Sequence, residues 1–472
     1  MDGCQVVIMA GGQGERLWPL STARRPKQFQ RLVGGRTPFE QVFERALALA
    51  GAPEGVWTVT RRAYRDLIRN EFPGFVAANI IAEPCQRNTA PCLALAAALI
   101  SRERPADDVM VAMPADHHVA DGEALVAALE AAASEARRTG ALICLGVAPT
   151  RPHTGYGYIE LEKGPEGEAS RRVRRFTEKP GEPRAREFAA SGRHLWNAGI
   201  FVWPLATFFA ELAAHAPEIS RLAEAVRTAP GDPWPLIEAG FCKLPDISID
   251  YALLERSANI RAVPVSCGWS DLGSFSALAE ALGRNASGNA VAAAPGAAVT
   301  FEEARNLFVY EGCAKPVVVC GLGEAVVVDT AEGLLVCGAA QEGRVKELGR
   351  GAEQAARGEL TVGWRPWGMW ETLARGAGFQ VKRLRVAPHQ RLSLQAHRHR
   401  AEHWVVLAGR PLAEVEGRAS GLAPGGHIFI PQGARHRLAN PGEEEVVIIE
   451  VQLGEVLSEE DITRFSDDYG RV

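Results

Sequence analysis

The chain has 472 residues, 47% hydrophobic and 23% charged, enough to bury the cores of about two to four domains. Its formal net charge of -5 excludes a nucleic-acid binder that relies on overall positive charge, although a local basic site for a small anion is compatible with it. The N-terminal stretch has no basic region and only a short apolar run, unlike a signal peptide or a membrane span. We therefore expect a cytoplasmic protein with neither nucleic acid nor membrane as a partner.

Nine cysteines are scattered along the chain without any Cys-x-x-Cys pair. This spacing differs from that of zinc ribbons, and a cytoplasmic location disfavours disulfides. We predict reduced, mostly buried thiols with structural roles. The nine are Cys4, Cys85, Cys92, Cys144, Cys242, Cys267, Cys313, Cys320 and Cys337.

Up to about residue 150, apolar runs of strand length alternate with helical patterns. The runs are QVVIMA, VWTVT, NIIAE, DVMVAMPADH and LICLGV, and the helical patterns include TPFEQVFERALALA, RRAYRDLIRNEF and APCLALAAALISRE. Such alternation predicts a parallel sheet covered by helices. A strand-like WNAGIFVW and the helical FFAELAAHAPEISRLAEAV and SIDYALLERSA follow, which completes one α/β domain over residues 1–283.

The composition changes near residue 284, where GRNASGNAVAAAPGAAV is rich in glycine and other small residues. Short β-like runs follow, and GRGAEQAARGELTVG has the composition of a linker. We predict a β-rich connector and linker over residues 284–356. From there, alternating and apolar runs of strand length predict an all-β barrel or sandwich over residues 357–472.

The first predicted strand runs into a glycine-rich turn that fits neither the Walker nor the dinucleotide spacing. Backbone N–H groups of Gly11, Gly12 and Gly14 can approach a nucleotide closely. Arg16 and Lys27 can then neutralise its phosphates. This set suits attack of a phosphate on the α-phosphorus of a nucleoside triphosphate, where charge grows on the departing pyrophosphate.

Magnesium normally shares that charge, and its ligands are oxygen atoms such as carboxylates at strand ends. Asp116 follows the apolar run DVMVA, and Asp271 lies in CGWSDLGS. Either aspartate could instead be a cap or an Asx turn without a metal. From the residues alone, both interpretations stay open.

Eight ordered motifs over about residues 5–283 resemble those of mannose-1-phosphate guanylyltransferases. The motifs are MAGGQGERLWPLSTARRPKQF, EPCQRNTAPCLALAA, MPADHHV, PHTGYGYI, FTEKP, WNAGIFVW, ISIDYALLE and CGWSDLGSF. The resemblance implies an α/β nucleotidyltransferase domain of the GT-A type, which is Rossmann-like. It also implies transfer of GMP from GTP to mannose 1-phosphate, with release of pyrophosphate.

The same resemblance implies a role for each matching residue, and no protein nucleophile is required because the sugar phosphate itself attacks. The implied catalytic set is Arg16, Lys27, Asp116 and Asp271, of which the two aspartates are the magnesium ligands. The implied nucleotide site includes Gly11, Gly12, Asn88 and Thr89, the last two on the side of the base. The implied sugar-phosphate site consists of Gly157, Glu178, Lys179 and Asn197.

Six of the eleven histidines lie between residues 389 and 436, a density that indicates a metal site: His389, His397, His399, His403, His427 and His436. Because alternate residues of a strand share a face, we expect Gln395, His397 and His399 to point the same way. The cupin pattern places the ligands at Gln395, His397, Glu402 and His436, with Gln395 in place of a histidine. This set suits zinc or another divalent ion.

The C-terminal stretches RPWGMWETL, IFIPQGARHRLANPG and ITRFSDDYGR resemble the phosphomannose isomerase half of bifunctional enzymes, the type II phosphomannose isomerase family. In isomerases of this kind a glutamine ligand is expected. The resemblance implies interconversion of fructose 6-phosphate and mannose 6-phosphate in a cupin barrel. Candidate bases by proximity are His399 and His403, although either could be a packed core histidine.

Arg471, with Arg435 or Arg437, could bind the substrate phosphate in this half, and the resemblance of the tail favours a catalytic role for Arg471. An arginine so near a terminus is otherwise merely solvated. Three alternatives stay open: a cupin that is only a regulatory or dimerising binding module, a transferase for another base or sugar, and a scaffold without catalysis. The two reactions are not consecutive, since a mutase must act between them, and a homo-oligomer is left open.

Overall fold

The computed structural model describes residues 4–105, 108–163, 168–355 and 362–470. Within them the chain divides into two compact units. The first unit is Met1–Arg62 with Gly74–Glu353, and the second is Ala63–Pro73 with Gln354–Val472. The predicted connector therefore belongs to the same unit as the predicted nucleotidyltransferase domain.

The first part of the first unit contains one mixed sheet and a separate ribbon. In the described ranges, nine strands follow the order β3-β2-β1-β4-β9-β6-β10-β8-β7, and β5 pairs with β11. The strands are β1 (Gln5–Met9), β2 (Val56–Arg61), β3 (Ile80–Glu83), β4 (Val109–Pro114), β5 (His118–Val119), β6 (Leu142–Val147), β7 (Tyr158–Leu161), β8 (Arg171–Thr177), β9 (His194–Pro204), β10 (Ile260–Val265) and β11 (Trp269–Ser270).

The prediction of a parallel sheet is correct for β1 to β4 and for β6 beside β10, but it is wrong for the strands β7, β8 and β9. β1 pairs in parallel with β2 and β4, and β2 does so with β3. β9, however, runs antiparallel to both β4 and β6. Between β6 and β9 the chain forms the antiparallel pair β7–β8 and then the helix Glu182–Ala190, and it re-enters the sheet in the opposite direction.

Helices alternate with these strands along the chain, and their ends carry recognisable signals. At the start of α1, Thr37 accepts a hydrogen bond from the backbone of Glu40 while Glu40 accepts one from the backbone of Thr37. Pro217 divides one predicted helical stretch into α6 and α7. The helices are α1 (Pro38–Ala50), α2 (Arg62–Glu71), α3 (Thr89–Ile100), α4 (Gly122–Thr139), α5 (Glu182–Ala190), α6 (Leu205–His215), α7 (Pro217–Thr228), α8 (Trp234–Gly240) and α9 (Phe275–Leu282).

The connector forms the coils of a parallel β-helix. Ala290, Phe308 and Val326 lie in register on β12, β14 and β16. The predicted linker begins within α10, and its residues 356–361 lie outside the described residues. The elements are β12 (Ala290–Ala293), β13 (Val299–Glu302), β14 (Phe308–Glu311), β15 (Val317–Cys320), β16 (Ala325–Thr330), β17 (Gly333–Gly338) and α10 (Val345–Ala355).

The second unit is built on two antiparallel sheets, as the predicted cupin barrel requires. In the described residues their orders are β18-β19-β20-β27-β22-β25 and β24-β23-β26-β21-β28. Trp404 and Ile448 from one sheet pack with Ala413 and Leu438 from the other. The strands are β18 (Val362–Arg365), β19 (Gly368–Gly376), β20 (Phe379–Val386), β21 (Leu394–His397), β22 (Arg400–Ala408), β23 (Leu412–Val415), β24 (Arg418–Gly421), β25 (His427–Ile430), β26 (His436–Ala439), β27 (Val446–Gly454) and β28 (Ile462–Ser466).

The prediction of nine reduced cysteines is wrong for one pair, because Cys85 and Cys242 form a disulfide with their Cα atoms 5.8 Å apart. They are 157 residues apart in sequence, so spacing alone gives no sign of the pairing. The fold brings their loops together, and the guanidinium of Arg87 donates hydrogen bonds to the Cys242 carbonyl. Among the described helices, none combines the length and the apolar composition that a membrane crossing needs.

Candidate functional site

Side chains from neighbouring segments donate hydrogen bonds to the backbone carbonyl groups of the glycine-rich turn that follows β1. Gln28 Nε2 donates hydrogen bonds to the carbonyls of Ala10 and Gly12, each at 3.0 Å. Arg61 Nε donates to the carbonyl of Gly11 at 2.9 Å. With these carbonyls engaged, the backbone amides are the groups of the turn that can bind an anion.

Gly14 occupies a position in this turn that no other residue fits. Its φ is +62°, in the left-handed region, and a Cβ atom there would lie 2.7 Å from Lys27 Cβ and 2.8 Å from Ser21 Oγ. The close approach lets the Lys27 stem pass beside the turn. Because Gly14 has no side chain, the turn and the Lys27 side chain can lie in contact.

Lys27 joins the two aspartates that the sequence predicts as magnesium ligands. Its side chain is buried, its ammonium lies 2.7 Å from Asp116 Oδ2, and it donates to the Asp271 carbonyl at 2.5 Å. The ribbon of β5 and β11 pairs His118 with Ser270, which brings the two strand ends side by side. Predicted residues from three distant segments therefore meet at one point.

Both aspartates are held in the charged form. Burial alone would raise the pKa of Asp116 and of Asp271, but the Lys27 charge, with a smaller effect of His117, keeps both pKa values below the usual range. Two charged carboxylates at neighbouring strand ends are a donor set that fits Mg²⁺, which takes one or two carboxylates together with phosphate oxygens.

Asp271 also forms the local turn that was the alternative to a metal role. Its Oδ1 accepts hydrogen bonds from the Gly273 backbone at 2.9 Å and from the Tyr156 hydroxyl at 2.8 Å. These bonds fix the carboxylate plane and employ one oxygen. The turn and a metal role for the other oxygen are therefore compatible.

Two adjoining cavities open beside this junction, and Asp116 lines both. The larger, of about 570 Å³, is lined by these predicted residues: Gly11, Gly12, Asn88, Thr89, Asp116, Gly157, Glu178, Asn197 and Asp271. The smaller, of about 390 Å³, is lined by the predicted Gly14, Arg16, Lys27 and Asp116. Lys179 lies beside the larger cavity, with its ammonium 2.5 Å from Glu178 Oε1.

One end of the larger cavity is rich in hydrogen-bond acceptors. Glu178 Oε2 is buried and has no hydrogen-bond partner among the described residues, and a Cβ atom on Gly157 would lie 2.5 Å from it. Asp250, which the sequence analysis missed, accepts a hydrogen bond from Asn197 Nδ2 at 3.0 Å. Burial, with the Glu178 charge, raises the pKa of Asp250 to about 6. Such acceptors suit the hydroxyl groups of a sugar.

The larger cavity is also lined by a second acid that the sequence analysis missed. Glu83 ends β3, is buried and lines the cavity near Gly11. Burial raises its pKa to about 8 against the opposing charge of Arg61. Nearby, Asn88 caps α3 through Thr89, and Thr89 Oγ1 accepts a hydrogen bond from the Ile249 backbone at 2.8 Å. The only sequence signal for Glu83 was an acid at the end of a buried strand.

Two basic residues from α10 complete the smaller cavity. Arg350 donates to both carboxylate oxygens of Glu15 at 2.8 and 2.7 Å, and Lys346 lies 3.1 Å from the same group. The hydrogen bond from Arg350 is the main reason that the pKa of Glu15 lies below its usual value. With Arg16, Lys27 and Arg61, five cationic side chains line the cavity. Sequence reasoning missed α10 because it lies more than 300 residues beyond the turn.

In the second unit, His397, Glu402 and His436 bring their ligand atoms within 4.8 Å of one another. All three are buried, and His397 Nε2 lies 3.1 Å from Glu402 Oε1. His436 Nε2 lies 3.5 Å from the other oxygen and has no hydrogen-bond partner among the described residues. Gln395 is the cross-strand neighbour of His436. The unpartnered nitrogen and the N/O donor set fit a divalent metal ion.

A buried polar network surrounds this cluster. Arg400 Nε donates to Glu402 Oε1 at 3.1 Å, and Trp404 Nε1 donates both to Glu402 and to Glu450, at 3.2 and 3.0 Å. Burial would raise the pKa of Glu402, but the neighbouring His397 and His436, 3.1 and 3.5 Å from its two oxygens, hold that pKa well below the usual range. A cavity of only about 50 Å³ adjoins these side chains.

Neither predicted base lines that cavity. The prediction that His399 shares a strand face with Gln395 and His397 is wrong, because β21 ends at His397 and the chain bends. His399 Nδ1 instead contacts Asp461 Oδ1 at 2.8 Å. His403 follows Glu402 directly on β22, so it faces the other side of the sheet. Its ring lies 4.6 Å from that of Phe429.

The predicted phosphate-binding arginines have separate surroundings. The Arg435 guanidinium lies 4.1 Å above the ring of Phe465, and Arg437 pairs with Glu414 at 2.8 Å. Arg471 lies outside the described residues. Arg365 and Arg464, which the sequence analysis did not single out, line the small cavity instead.

Comparison with known proteins gives matches over both units. Residues 5–287 match the nucleotidyl transferase family, and residues 352–467 match the mannose-6-phosphate isomerase C-terminal family. The chain is 38% identical to the alginate biosynthesis protein AlgA of Pseudomonas putida, over 99% of this chain and 96% of that one. It is 37% identical to a mannose-1-phosphate guanylyltransferase of Escherichia coli, over 99% and 98%. Among solved structures, a mannose-1-phosphate geranyltransferase from Thermus thermophilus is similar, with a TM-score of 0.67 and 32% identity over 75% of this chain and 100% of that one.

Proposed function

This chain belongs to the nucleotidyl transferase family, among members that carry a mannose-6-phosphate isomerase domain, and from this premise we propose that it is a bifunctional enzyme of GDP-mannose synthesis. The first unit transfers GMP from GTP to mannose 1-phosphate, and the second interconverts fructose 6-phosphate and mannose 6-phosphate. The junction of Lys27, Asp116 and Asp271 between two cavities is the observation that carries the proposal.

In the transfer, a phosphate oxygen of mannose 1-phosphate attacks the α-phosphorus of GTP. The bond from that phosphorus to the β-bridging oxygen breaks, and pyrophosphate leaves with the negative charge. Asp116 and Asp271 would hold Mg²⁺, which when bound neutralises charge on the phosphates. Lys27 lies beside both aspartates, so its ammonium can follow the charge as it moves from the α-phosphate to the leaving group.

We assign the smaller cavity to the β- and γ-phosphates and to the departing pyrophosphate. Arg16, Lys27, Lys346 and Arg350 all line it, and the last two are held by Glu15. A guanidinium can contact two phosphate oxygens at once, and an ammonium acts as a point charge. In this assignment α10 adds its charges to those of the glycine-rich turn.

The larger cavity would hold the nucleoside at one end and the sugar at the other. With its proton released on binding, the Glu83 carboxylate can accept hydrogen bonds from N1–H and the 2-amino group of guanine, a pair of donors that adenine lacks. Glu178 and Asp250 can accept from mannose hydroxyls, while Lys179 meets the sugar phosphate. This arrangement favours guanosine over other bases, because a buried acceptor left unpaired is costly.

In the second unit, Gln395, His397, Glu402 and His436 would hold zinc or another divalent ion, which when bound polarises the oxygens at C1 and C2 of the opened sugar. A base must move one proton between C1 and C2. We assign this role to Glu450, because its buried carboxyl group lines the same cavity as Gln395 and Glu402. Arg365 and Arg464 line the cavity too and can bind the sugar phosphate.

The test supplies the purified full-length chain with GTP, ATP, UTP or dTTP and either mannose 1-phosphate or glucose 1-phosphate, and measures pyrophosphate release. We expect turnover with GTP and mannose 1-phosphate above all other pairs. A parallel assay with fructose 6-phosphate and a divalent metal should give mannose 6-phosphate. Guanylyl transfer without isomerisation would favour a cupin domain that only binds a ligand. The absence of both activities would favour a scaffold protein. Because all four substrates are cytoplasmic metabolites, we place the enzyme in the cytoplasm.

A further inference from the structure

A second cluster of potential metal ligands lies in the connector, far from the glycine-rich turn in sequence. Ligand atoms of Glu311, Cys313 and Asp329 lie within 4.8 Å of one another. Glu311 ends β14, and its ladder partner on β16 is Asp329. Cys313 follows Glu311 after one residue, so the fold brings all three side chains to one end of the β-helix.

Glu311 carries the observation that points to a ligand. The residue is fully buried, with 0% exposure, and its Oε2 has no hydrogen-bond partner among the described residues. The other oxygen, Oε1, accepts backbone hydrogen bonds from Cys313 at 2.8 Å and from Lys315 at 3.0 Å. The carboxylate is therefore fixed by one oxygen while the second is buried inside the cluster.

The apolar surroundings make this cluster of side chains unfavourable without a bound ion. Glu311 lies on the strand face of Val309, and Asp329 lies on that of Val327; both valines belong to the apolar interior of the coils. A buried charge without a partner is strongly destabilising. Among the described residues, Lys315 Nζ pairs with the Asp329 carboxylate, at 3.1 Å. It compensates one of the two carboxylates.

We infer that Glu311, Cys313 and Asp329 bind a divalent transition-metal ion of the zinc class. Two carboxylates and a thiolate carry three negative charges, Lys315 supplies one positive charge, and a divalent ion makes the set neutral. A thiolate with two carboxylates and one water is a four-ligand set that suits Zn²⁺. A hard ion such as Mg²⁺ would not select the thiolate.

The position of this site indicates a structural role. After β16 the chain turns at Thr330 and Gly333, and a Cβ atom on Gly333 would lie 3.2 Å from the Trp18 ring. Trp18 lies four residues after Gly14 of the glycine-rich turn. An ion on Asp329 would fix the end of β16 and, through it, the turn that packs against this segment.

Cobalt substitution tests the site in the full-length chain, because Co²⁺ bound to a thiolate gives an intense near-ultraviolet charge-transfer band. Protein stripped with a chelator and kept reduced is titrated with Co²⁺. We expect the band in the wild type, its loss in Cys313→Ser, and its persistence in His436→Ala. The last variant controls for the cupin cluster, whose ligands include no cysteine. Zinc content after dialysis should fall by one equivalent in Glu311→Gln, and Zn²⁺ should raise the melting temperature of the wild type more than that of Cys313→Ser.

A wild type without the cobalt band overturns the inference. So does a band of unchanged intensity in Cys313→Ser, since another thiol would then hold the metal. Because serine closely matches cysteine in size, Cys313→Ser preserves the packing at this end of the β-helix.

Discussion

The two predicted active sites are built in opposite ways. In the first unit, groups from Gly11 to Arg350 surround open cavities of about 570 and 390 Å³. In the second, the charged cluster runs from His397 to His436, is buried, and adjoins a cavity of only about 50 Å³. A site for a whole nucleotide sugar needs room and many anchor points, whereas a metal cluster needs a few ligands at fixed separations.

The two sites also differ in which side chains keep their carboxylates charged. In the open site, a buried lysine keeps the Asp116 and Asp271 carboxylates charged. In the closed site, two histidines perform that function for Glu402, and Arg400 shares the same carboxylate. If the two sites are independent, removing the central carboxylate of one site should abolish the activity of that site and leave the other activity unchanged.

The largest expected effect is on the open site. Asp271→Asn keeps the size of the side chain but removes a charge from the junction with Lys27. We expect guanylyl transfer to fall by on the order of 10³-fold, while isomerase activity in the same preparation is unchanged. Steady-state rates of both reactions measure this, and the isomerase serves as the internal control for folding. Full transferase activity in both Asp271→Asn and Asp116→Asn would show that the metal assignment is wrong.

The converse change is Glu402→Gln in the closed site. Removing the carboxylate from between His397 and His436 should release the metal and lower isomerisation by on the order of 10²-fold or more. Metal content by elemental analysis should fall with it, and transfer should keep its rate. Loss of both activities together would mean that the sites are coupled.

A smaller effect is expected from α10. Arg350→Ala should raise KM for GTP, and for pyrophosphate in the reverse reaction, roughly tenfold, which corresponds to one charge-assisted contact. The matched control is Arg344→Ala, since Arg344 is exposed just before α10 and lines neither cavity. Equal KM values in the two variants would exclude α10 from the phosphate site.

The smallest effect concerns pH and Glu83. Its pKa in the folded chain, about 8, lies above the usual 4.5, so its stabilising contribution is complete below pH 4.5 and is lost as pH rises through 8. A glutamine does not ionise, so the Glu83→Gln variant does not lose stability in this way as pH rises. Between pH 5.5 and pH 9, we therefore expect the melting temperature of the ligand-free wild type to fall by about a few degrees more than that of Glu83→Gln. Parallel melting curves across that range would contradict the assigned burial of the acid.

The sequence predicted the open site better than the sheet that carries it. Ordered motifs named Lys27, Asp116 and Asp271, and these meet in the structure. The direction of β9 was not predictable, because a strand pattern gives no sign of which way the chain enters a sheet. The Cys85–Cys242 pair and the contact of Arg350 with Glu15 depend on tertiary proximity, so no local pattern reveals them.

In the second unit, spacing found the ligand cluster but failed for His399. The alternation rule holds only while a strand continues, and β21 ends two residues earlier. Glu450 was missed because an acid within the apolar run EVVIIEVQL resembles a solvent-facing residue of an exposed strand. Its carboxyl group accepts a hydrogen bond from Trp404, which only the folded sheet brings near.

The central claim is that the open site joins mannose 1-phosphate to the α-phosphorus of GTP. Its most direct test supplies the full-length chain with mannose 1-phosphate and GTP labelled at either the α- or the γ-phosphorus. We predict that the α-label appears in GDP-mannose and the γ-label in pyrophosphate, in equal amounts, and that Asp271→Asn abolishes both. Release of the γ-label as inorganic phosphate, with the α-label left in GDP, would contradict the claim.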